Sequence, residues 1–543
     1  MFVKRCARNY KGKIYESFWL VEAYREKGKI KHRYIVNLDK LSPDTRNKLK
    51  EVLANPKAVV VEDMSKFFVR GYNYGEIVFF LYIMHKLGLI RVLKERLSKK
   101  ALSLIVAVLL NRILKPSSKM GAIAWIKDTS FPFFSSLKDK DYHHNFVYLA
   151  MDEVDENMEE IEEGFYKLSG GKPMFLLYDI TSVYFEGNGT AKGKRGYSRD
   201  RRPDRPQVLL GVVLNEDGFP LHFEIFDGNT RDSKTVIDVA KRVKERFGIE
   251  KAIFVGDRGM ITVENIKELT SEHMGLGYIM ALRHEDAKEL FAKKNIQLEL
   301  FDKQLPVTIY QEEGKKYVLC GSEYRKARDE ATLMNLIKRG EEALSIVKGM
   351  VDEGKLKDYE KVIRRAQKKL TESGASRYLD FEYRDGEFKI IKKEEEIERA
   401  KILCGHYVLE TSEIDMEEER VEAHYKELQQ VERCFRDLKE FLEIRPIYHW
   451  LDKRVKVHIF CCIVAQVVLS YVRKVLKANG WLGKENTLEK FINLLSSVKL
   501  GKFLVGREEV LQVQQENPVE EILLKAFKLL PFDYERDKGF CSI

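Results

Sequence analysis

Apolar and polar positions change rhythm several times along the chain, and each change predicts an element. Residues 1–65 carry short β-like runs, SFWLVEAY and HRYIVNL, around a Lys/Gly turn. Helical periodicity runs through 70–115 and stops at Lys115-Pro116, where proline removes a donor and clashes with the preceding turn. A further helical stretch containing Trp125 precedes Phe131-Pro132. The texture then becomes that of buried strands. FLLYDITSVYF (175–185) is followed by QVLLGVVLN and PLHFEIFDG, which flank Glu216-Asp217-Gly218. Asp-Gly between two apolar runs predicts a hairpin. Next come a helix from Ser233 to Phe247, the run AIFVGD (252–257), a helix from Val263 to Leu269, and YIMALR (278–283). Three strands in succession, then helix and strand in alternation, predict a mixed sheet with helices on both faces.

The rhythm breaks again after residue 284. Strand-like runs at 306–311 and 316–321, a charged helical stretch over 325–374, and the hairpin YLDFEYRDGEFKII turning at Asp385-Gly386 together read as an α+β insertion. HYVLETSEI (406–414) returns to strand texture and leads into a helix from Met416 to about Leu442. Residues 451–543 read as mostly helical. The apolar run Val457 to Val472 is interrupted by His458 and Gln466 and falls short of the ~20 residues of a membrane span, so it predicts a buried helix. Trp450 and the helix over 454–472 read as core or dimer surface. The expected organisation is a β element (1–65), a helical region (66–165), an α/β domain split between 170–284 and 402–450, an insertion (285–401), and a helical C-terminal region (451–543).

Charge and cysteine usage narrow the setting. A formal charge of +10 over 543 residues tilts the chain toward an anionic partner. The seven cysteines form no CxxC pair and no zinc-finger spacing, and MFVKRCARNYKGK lacks the apolar core of a secretion signal; both point to a cytoplasmic protein with reduced thiols.

Three acidic residues carry candidate chemistry. Asp179 interrupts an apolar strand, where an ionised carboxylate is costly unless it is paired or holds a metal; a strand-edge Asp bonding a turn is the plainer reading. Asp257 ends AIFVGD, and ligands collect at the carboxyl ends of strands in open α/β sheets; an Asp capping the next helix is the commoner explanation of such a position taken alone. On one continuous helix at roughly 100° per residue, Tyr425, Glu432, Arg436 and Lys439 fall within about 60° of one another, a face that is also compatible with simple solvation. Behind the Asp179 strand comes KGKRGYSRDRRPDR (192–205), with seven Lys/Arg against two Asp, including Lys194, Arg195, Arg199, Arg201 and Arg202. Such side chains neutralise nucleic-acid phosphates, although basic loops are often merely solvated. Lys94, Arg96, Lys99 and Lys100 offer a second basic stretch of the same ambiguity.

Taken in order, LLYDITSVYFEG, FVGDRGM and the spacing of Tyr425, Glu432 and Lys439 resemble the bacterial insertion-sequence DDE transposases, in particular the group with a Tyr-x2-Arg-x3-Glu-x6-Lys signature and an insertion domain before the catalytic Glu. Leu428 stands at the signature's Arg position. The resemblance covers roughly 170–450. It implies a ribonuclease H-like fold, with Asp179, Asp257 and Glu432 binding two Mg²⁺ ions (Mn²⁺ substituting). It also implies cleavage at the ends of an insertion sequence and joining of the freed 3′-hydroxyls to target DNA. Tyr425 and Lys439 would contact DNA phosphates near the cleaved end. Arg436, Arg258 and the basic loop are added as DNA contacts from their positions. Expected partners are double-stranded DNA, as terminal inverted repeats and target, and a second copy of the chain. The alternatives are a ribonuclease H-like nuclease without strand joining and a transposase-derived DNA-binding protein without catalysis.

Overall fold

The computed structural model describes residues 1–10, 13–26, 28–54, 68–171, 173–257, 260, 262–294, 296, 305–312, 314–483, 485–505, 508–515, 521–529 and 531–543. The chain forms two compact units, Met1–Tyr72 with Lys499–Gln514, and Asn73–Val498 with Gln515–Ile543. In the first unit, β1 (Phe2–Tyr10), β2 (Lys13–Glu26) and β3 (Lys29–Asn37) make an antiparallel sheet, followed by α1 (Pro43–Ala54). A second small sheet joins β4 (Phe68–Asn73) to two strands near the C-terminus, β15 (Val498–Val505) and β16 (Glu508–Gln515). These two strands lie within the 451–543 stretch read from sequence as helical. VKLGKFLV and EEVLQVQQ are too short to declare a period unaided, and pairing with β4 decides their state.

The second unit opens with six helices: α2 (Gly75–Lys86), α3 (Leu89–Lys94), α4 (Lys99–Leu114), α5 (Lys119–Ile126), α6 (His144–Glu156) and α7 (Met158–Leu168). Then β5 (Phe175–Tyr184), β6 (Gln207–Leu214) and β7 (Pro220–Asp227) form the antiparallel meander. After α8 (Asp232–Phe247) comes β8 (Ile253–Gly256), parallel to β5. After α9 (Val263–Leu269) comes β9 (Gly277–Ala281), parallel to β8. The strand and helix order read from the sequence is therefore the order present.

Beyond α10 (His284–Lys294), the strands β10 (Val307–Glu312) and β11 (Lys315–Gly321) were read as part of an insertion, but they extend the main sheet. The eight strands run β10-β11-β14-β9-β8-β5-β6-β7, with β14 being His406–Thr411. The helices α11 (Glu323–Asp352), α12 (Tyr359–Ser373) and α13 (Glu394–Leu403), with the hairpin β12 (Leu379–Arg384) and β13 (Glu387–Lys392), bury a core of their own around Leu344, Val362 and Phe388. The hairpin turns on Asp385 (φ 53°) and Gly386 (φ 82°), the left-handed pair that matches the strands' twist.

The expected single helix from Met416 to Leu442 is broken. It forms α14 (Glu418–Lys426), a turn at Glu427-Leu428, α15 (Gln429–Arg436) and a π-helical turn over Asp437–Phe441. Both interruptions shift the angular phase, so one helical wheel does not describe Tyr425, Glu432 and Lys439 together. Next, α16 (Asp452–Ala478) is long and apolar enough to cross a membrane, but most of it is buried within the protein against α4 and α6. The short helices α17 (Leu488–Ser496), α18 (Glu521–Ala526) and α19 (Tyr534–Cys541) complete the unit. Trp450, read as core or dimer surface, is 73% exposed, so it is not core.

Side-chain alternation assigns the faces of the sheet. Leu176, Tyr178 and Ile180 of β5 pack with Val236, Val239 and Val243 of α8. Tyr178 donates from Oη to Thr235 Oγ1 at 2.8 Å, and a Cβ on Gly211 would lie 2.6 Å from that hydroxyl, which explains glycine in the middle of β6. Phe175, on the opposite face, stacks on His424 of α14 at 3.6 Å between ring centroids. Asp179 shares that parity, so it faces the side covered by α14 and α15.

One buried histidine makes the unit's stability depend on pH. His222 of β7 lies 3.6 Å from Glu162 and 3.5 Å from Glu224. Arg246 and Arg242 in turn meet these two carboxylates at 2.5 and 2.6 Å. Burial opposes the imidazolium, but Glu162 and Glu224 outweigh it and hold the pKa above the usual value. The stabilisation is therefore complete below about pH 6.5 and is lost as pH rises through the raised value. In urea unfolding, wild type is expected to lose stability relative to His222→Phe as pH is raised from 6 to 9; parallel curves would refute a charged His222.

Candidate active site

Parallel pairing of β5 with β8 positions the first two carboxylates. Leu177 pairs with Val255, and carrying that register two residues further sets Asp179 opposite Asp257, just past the end of β8. Neighbouring strands lie about 4.8 Å apart, so the two acids are neighbours despite their distance in sequence. The third comes from α15, which packs on β5 and β6. Glu432 is exposed, as is Asp257, whereas Asp179 is half-buried.

The electrostatics record this convergence. Burial pushes the Asp179 carboxyl up to about 7, and the like charges of Asp257 and Glu432 push the same way. The Ile180 N–H, donating to Oδ1 at 2.7 Å, and the Arg199 guanidinium act against them. Tyr425 donates from Oη to Asp257 Oδ1 at 3.5 Å. Among the described residues, no three His, Cys, Asp or Glu side chains are close enough to hold a single ion. The donor chemistry nevertheless suits a hard divalent cation: carboxylate oxygens only, gathered against their own repulsion.

The basic loop is built into the same site. Lys194 pairs through its backbone with Gln207 in both directions at 3.0 Å, and Gly228 N–H donates to Lys192 O at 3.1 Å. A Cβ on Gly228 would come within 2.0 Å of the Gln207 carbonyl oxygen, so only glycine lets the loop cross there. Arg199 meets Asp232 at 2.6 Å, and Arg202 grips Asp204 through Nε and Nη2 at 2.8 and 2.9 Å. Lys194, Arg195 and Arg201 present exposed side chains with no ion-pair partner among the described residues.

Sequence reasoning missed Asp200, an acid within a basic run, where nothing in the local pattern marks it. It is almost wholly buried and accepts from both Lys439 Nζ and Arg445 Nε at 2.8 Å. Lys439 is thus engaged inside the protein, and burial holds its pKa below the usual value although Asp200 opposes this. Arg436 is exposed and lines a cleft of about 1010 Å³ with Arg433, Arg473 and Lys474. Arg258 lies outside the described residues.

Two aspartates on the adjacent central strands β5 and β8, a glutamate on a covering helix and an adjoining basic loop combine a cation-binding donor set with a phosphate-binding surface. Residues 170–465, more than half of the chain, match the family model described as the transposase DDE domain, and the chain belongs to that family. Residues 3–59 match the N-terminal domain of IS1634 family transposases: the protein is a DDE transposase of the IS1634 family, an enzyme of DNA transposition. The DDE domain implies a divalent metal cofactor. No curated protein matches the chain. The chain is similar to the solved structure of a piggyBac transposase synaptic complex with hairpin DNA. The identity is 9% and the TM-score 0.36, over 82% of this chain and 75% of that one.

Two outcomes test the site's electrostatics. With no metal added, Asp179→Asn is expected to be more stable than wild type. A carboxyl raised to about 7 in the folded state binds protons more tightly there than unfolded, so wild-type stability falls from about pH 4 to pH 7 and then stays low. The variant's advantage in thermal unfolding should therefore open over that window and hold above it; equal curves would refute carboxylate crowding. Asp200→Ala strands two partly buried cations and is expected to cost about 3 kcal/mol in urea unfolding; a loss below about 1 kcal/mol would show that the pairs are solvated.

Proposed function

We propose that Asp179, Asp257 and Glu432 are the catalytic carboxylates and hold two Mg²⁺ ions, in a ribonuclease H-like domain whose sheet is the eight-stranded one. The observation that supports this best is the β5–β8 register, which sets Asp179 against Asp257 while Glu432 acts on the same carboxyl from α15. Asp257 and Glu432 are exposed, so their rotamers can close on an ion that Asp179 anchors. When bound, paired divalent ions stabilise the attacking and leaving oxygens of an in-line displacement at phosphorus.

The chain's own groups supply position. Hydrolysis breaks the P–O3′ bond at the element's end and leaves a 3′-hydroxyl, which then displaces a 3′-oxygen of target DNA. Neither step needs a covalent protein intermediate. The Tyr425 hydroxyl orients Asp257. The exposed Lys194, Arg195, Arg201 and Arg436, with Arg258 beside Asp257 in sequence, serve as phosphate contacts. Lys439, engaged by Asp200, fixes the basic loop against the helix that carries Glu432. The DNA is double-stranded, comprising terminal inverted repeats and target. Joining two ends in one event calls for two copies of the chain.

Asp179→Asn, Asp257→Asn and Glu432→Gln are each expected to reduce Mg²⁺-dependent cleavage of an end-bearing duplex to background while leaving duplex binding within about threefold of wild type. Normal cleavage by any one variant would remove that residue from the site.

A further inference from the structure

A second cavity lies behind the segment that joins the π-helical turn to α16. It measures about 360 Å³, and Arg112 of α4 and Lys119 of α5 form part of its wall. Both are buried, at 5% exposure each. Arg112 donates from Nη1 to the Leu442 and Glu443 carbonyl oxygens at 3.4 and 3.3 Å, and from Nη2 to the Ser117 oxygen. Its buried Nε has no acceptor among the described residues. Lys119 Nζ donates to His458 Nδ1 at 3.3 Å, and His458 Nε2 donates to Ile444 O at 2.9 Å.

Among the described residues, no carboxylate lies within ion-pair distance of either cation. Glu443 lines the cavity with an exposed side chain and pairs with neither. Arg454, also on the wall, is already matched by Asp152 at 3.1 Å, and Arg445 by Asp200. The two histidines on the wall are kept neutral. Burial, then Lys119, then neighbouring arginines press His449 down to about 3 and lower His458 in the same way.

Two buried cations side by side without a counter-ion are costly, and the group that relieves the cost is an anion. The rim states its kind: Trp450 and Tyr448 are 73% and 65% exposed at the cavity mouth, and such faces suit a nucleobase. The volume sits at the low end of the roughly 300–1,000 Å³ typical of ligand pockets, which suits one nucleotide. The same segment is tied to the active-site sheet, for Ile447 N–H donates to Tyr184 O at 3.0 Å and Glu186 N–H to Ile447 O at 2.9 Å.

We propose that this cavity binds one nucleotide of a DNA strand, its phosphate held by Arg112 and Lys119 and its base stacked on Trp450. The proposal rests on DNA being the substrate, and it adds a holding point that lies outside the three carboxylates.

The probes are inorganic phosphate, adenosine monophosphate and a short fluorescent single-stranded oligonucleotide. Phosphate is expected to raise the Tm of the full chain. Lys119→Met is expected to raise Tm without phosphate, because a buried charge is removed, to abolish the phosphate response, and to weaken oligonucleotide binding about tenfold or more. Trp450→Ala should keep the phosphate response and weaken oligonucleotide binding by about tenfold. A lower Tm for Lys119→Met with unchanged oligonucleotide affinity would mean a purely structural lysine and would overturn the proposal. Displacement of adenosine monophosphate by phosphate but not by oligonucleotide would identify a free-nucleotide site instead. A change of mass in light scattering for Trp450→Ala, with unaltered oligonucleotide affinity, would identify a surface between copies. Oligonucleotide binding equal to wild type in both variants sinks the pocket alone; a wild-type chain that binds no DNA sinks the wider reading.

Discussion

Mutual repulsion of carboxylates is the constraint on which this protein turns. Folding sets Asp179 beside Asp257 on two central strands with Glu432 on the helix above, and Asp179 bears the consequence: burial first, and then its acidic neighbours, drive its carboxyl up to about 7. Such crowding is unfavourable to the metal-free chain, so the scaffold has to enforce it. The enforcement comes from apolar packing on both faces. Tyr178, Phe254 and the valines of α8 fix one side of the sheet, and Phe175 stacked on His424 fixes the other. Structures commonly keep such strain where a ligand will relieve it.

A second electrostatic arrangement supports the first. Asp200 draws Lys439 and Arg445 inward, so the basic loop, the turn after α15 and the segment leading to α16 share one buried ion-pair network. The net effect on stability of such a network is small compared with the cost of breaking it, and its value lies in register. It holds the loop that carries Lys194, Arg195 and Arg201 beside the carboxylates. The cavity lined by Arg112 and Lys119 borders the same segment, with cations that no acid among the described residues answers. Buried charge is thus of two kinds here, matched where geometry is fixed and unmatched where an anion fits.

The sheet was legible from the chain because strands β5 to β9 and helices α8 and α9 declare themselves by local period and by Asp-Gly turns, and Asp179 and Asp257 stand out against apolar runs. Where local signals were weak, the reading failed. Strands β10 and β11 join the main sheet, and β15 and β16 interrupt a stretch read as helical. The helix over 416–442 reads as continuous because nothing at Glu427-Leu428 breaks it by composition. Packing of α14 and α15 on different parts of the sheet does so.

The sequence alone determined which residue types carry the chemistry, their order, and the family motifs around them, because those signals lie within a turn or a strand of each acid. Tertiary structure decided the rest. It set which acid faces which through the β5–β8 register, it drew Lys439 to Asp200, and it left Arg112 and Lys119 without a counter-ion among the described residues. Each of these is a contact between segments far apart in the chain, and its energy depends on burial and on neighbouring charge, neither of which a linear pattern contains.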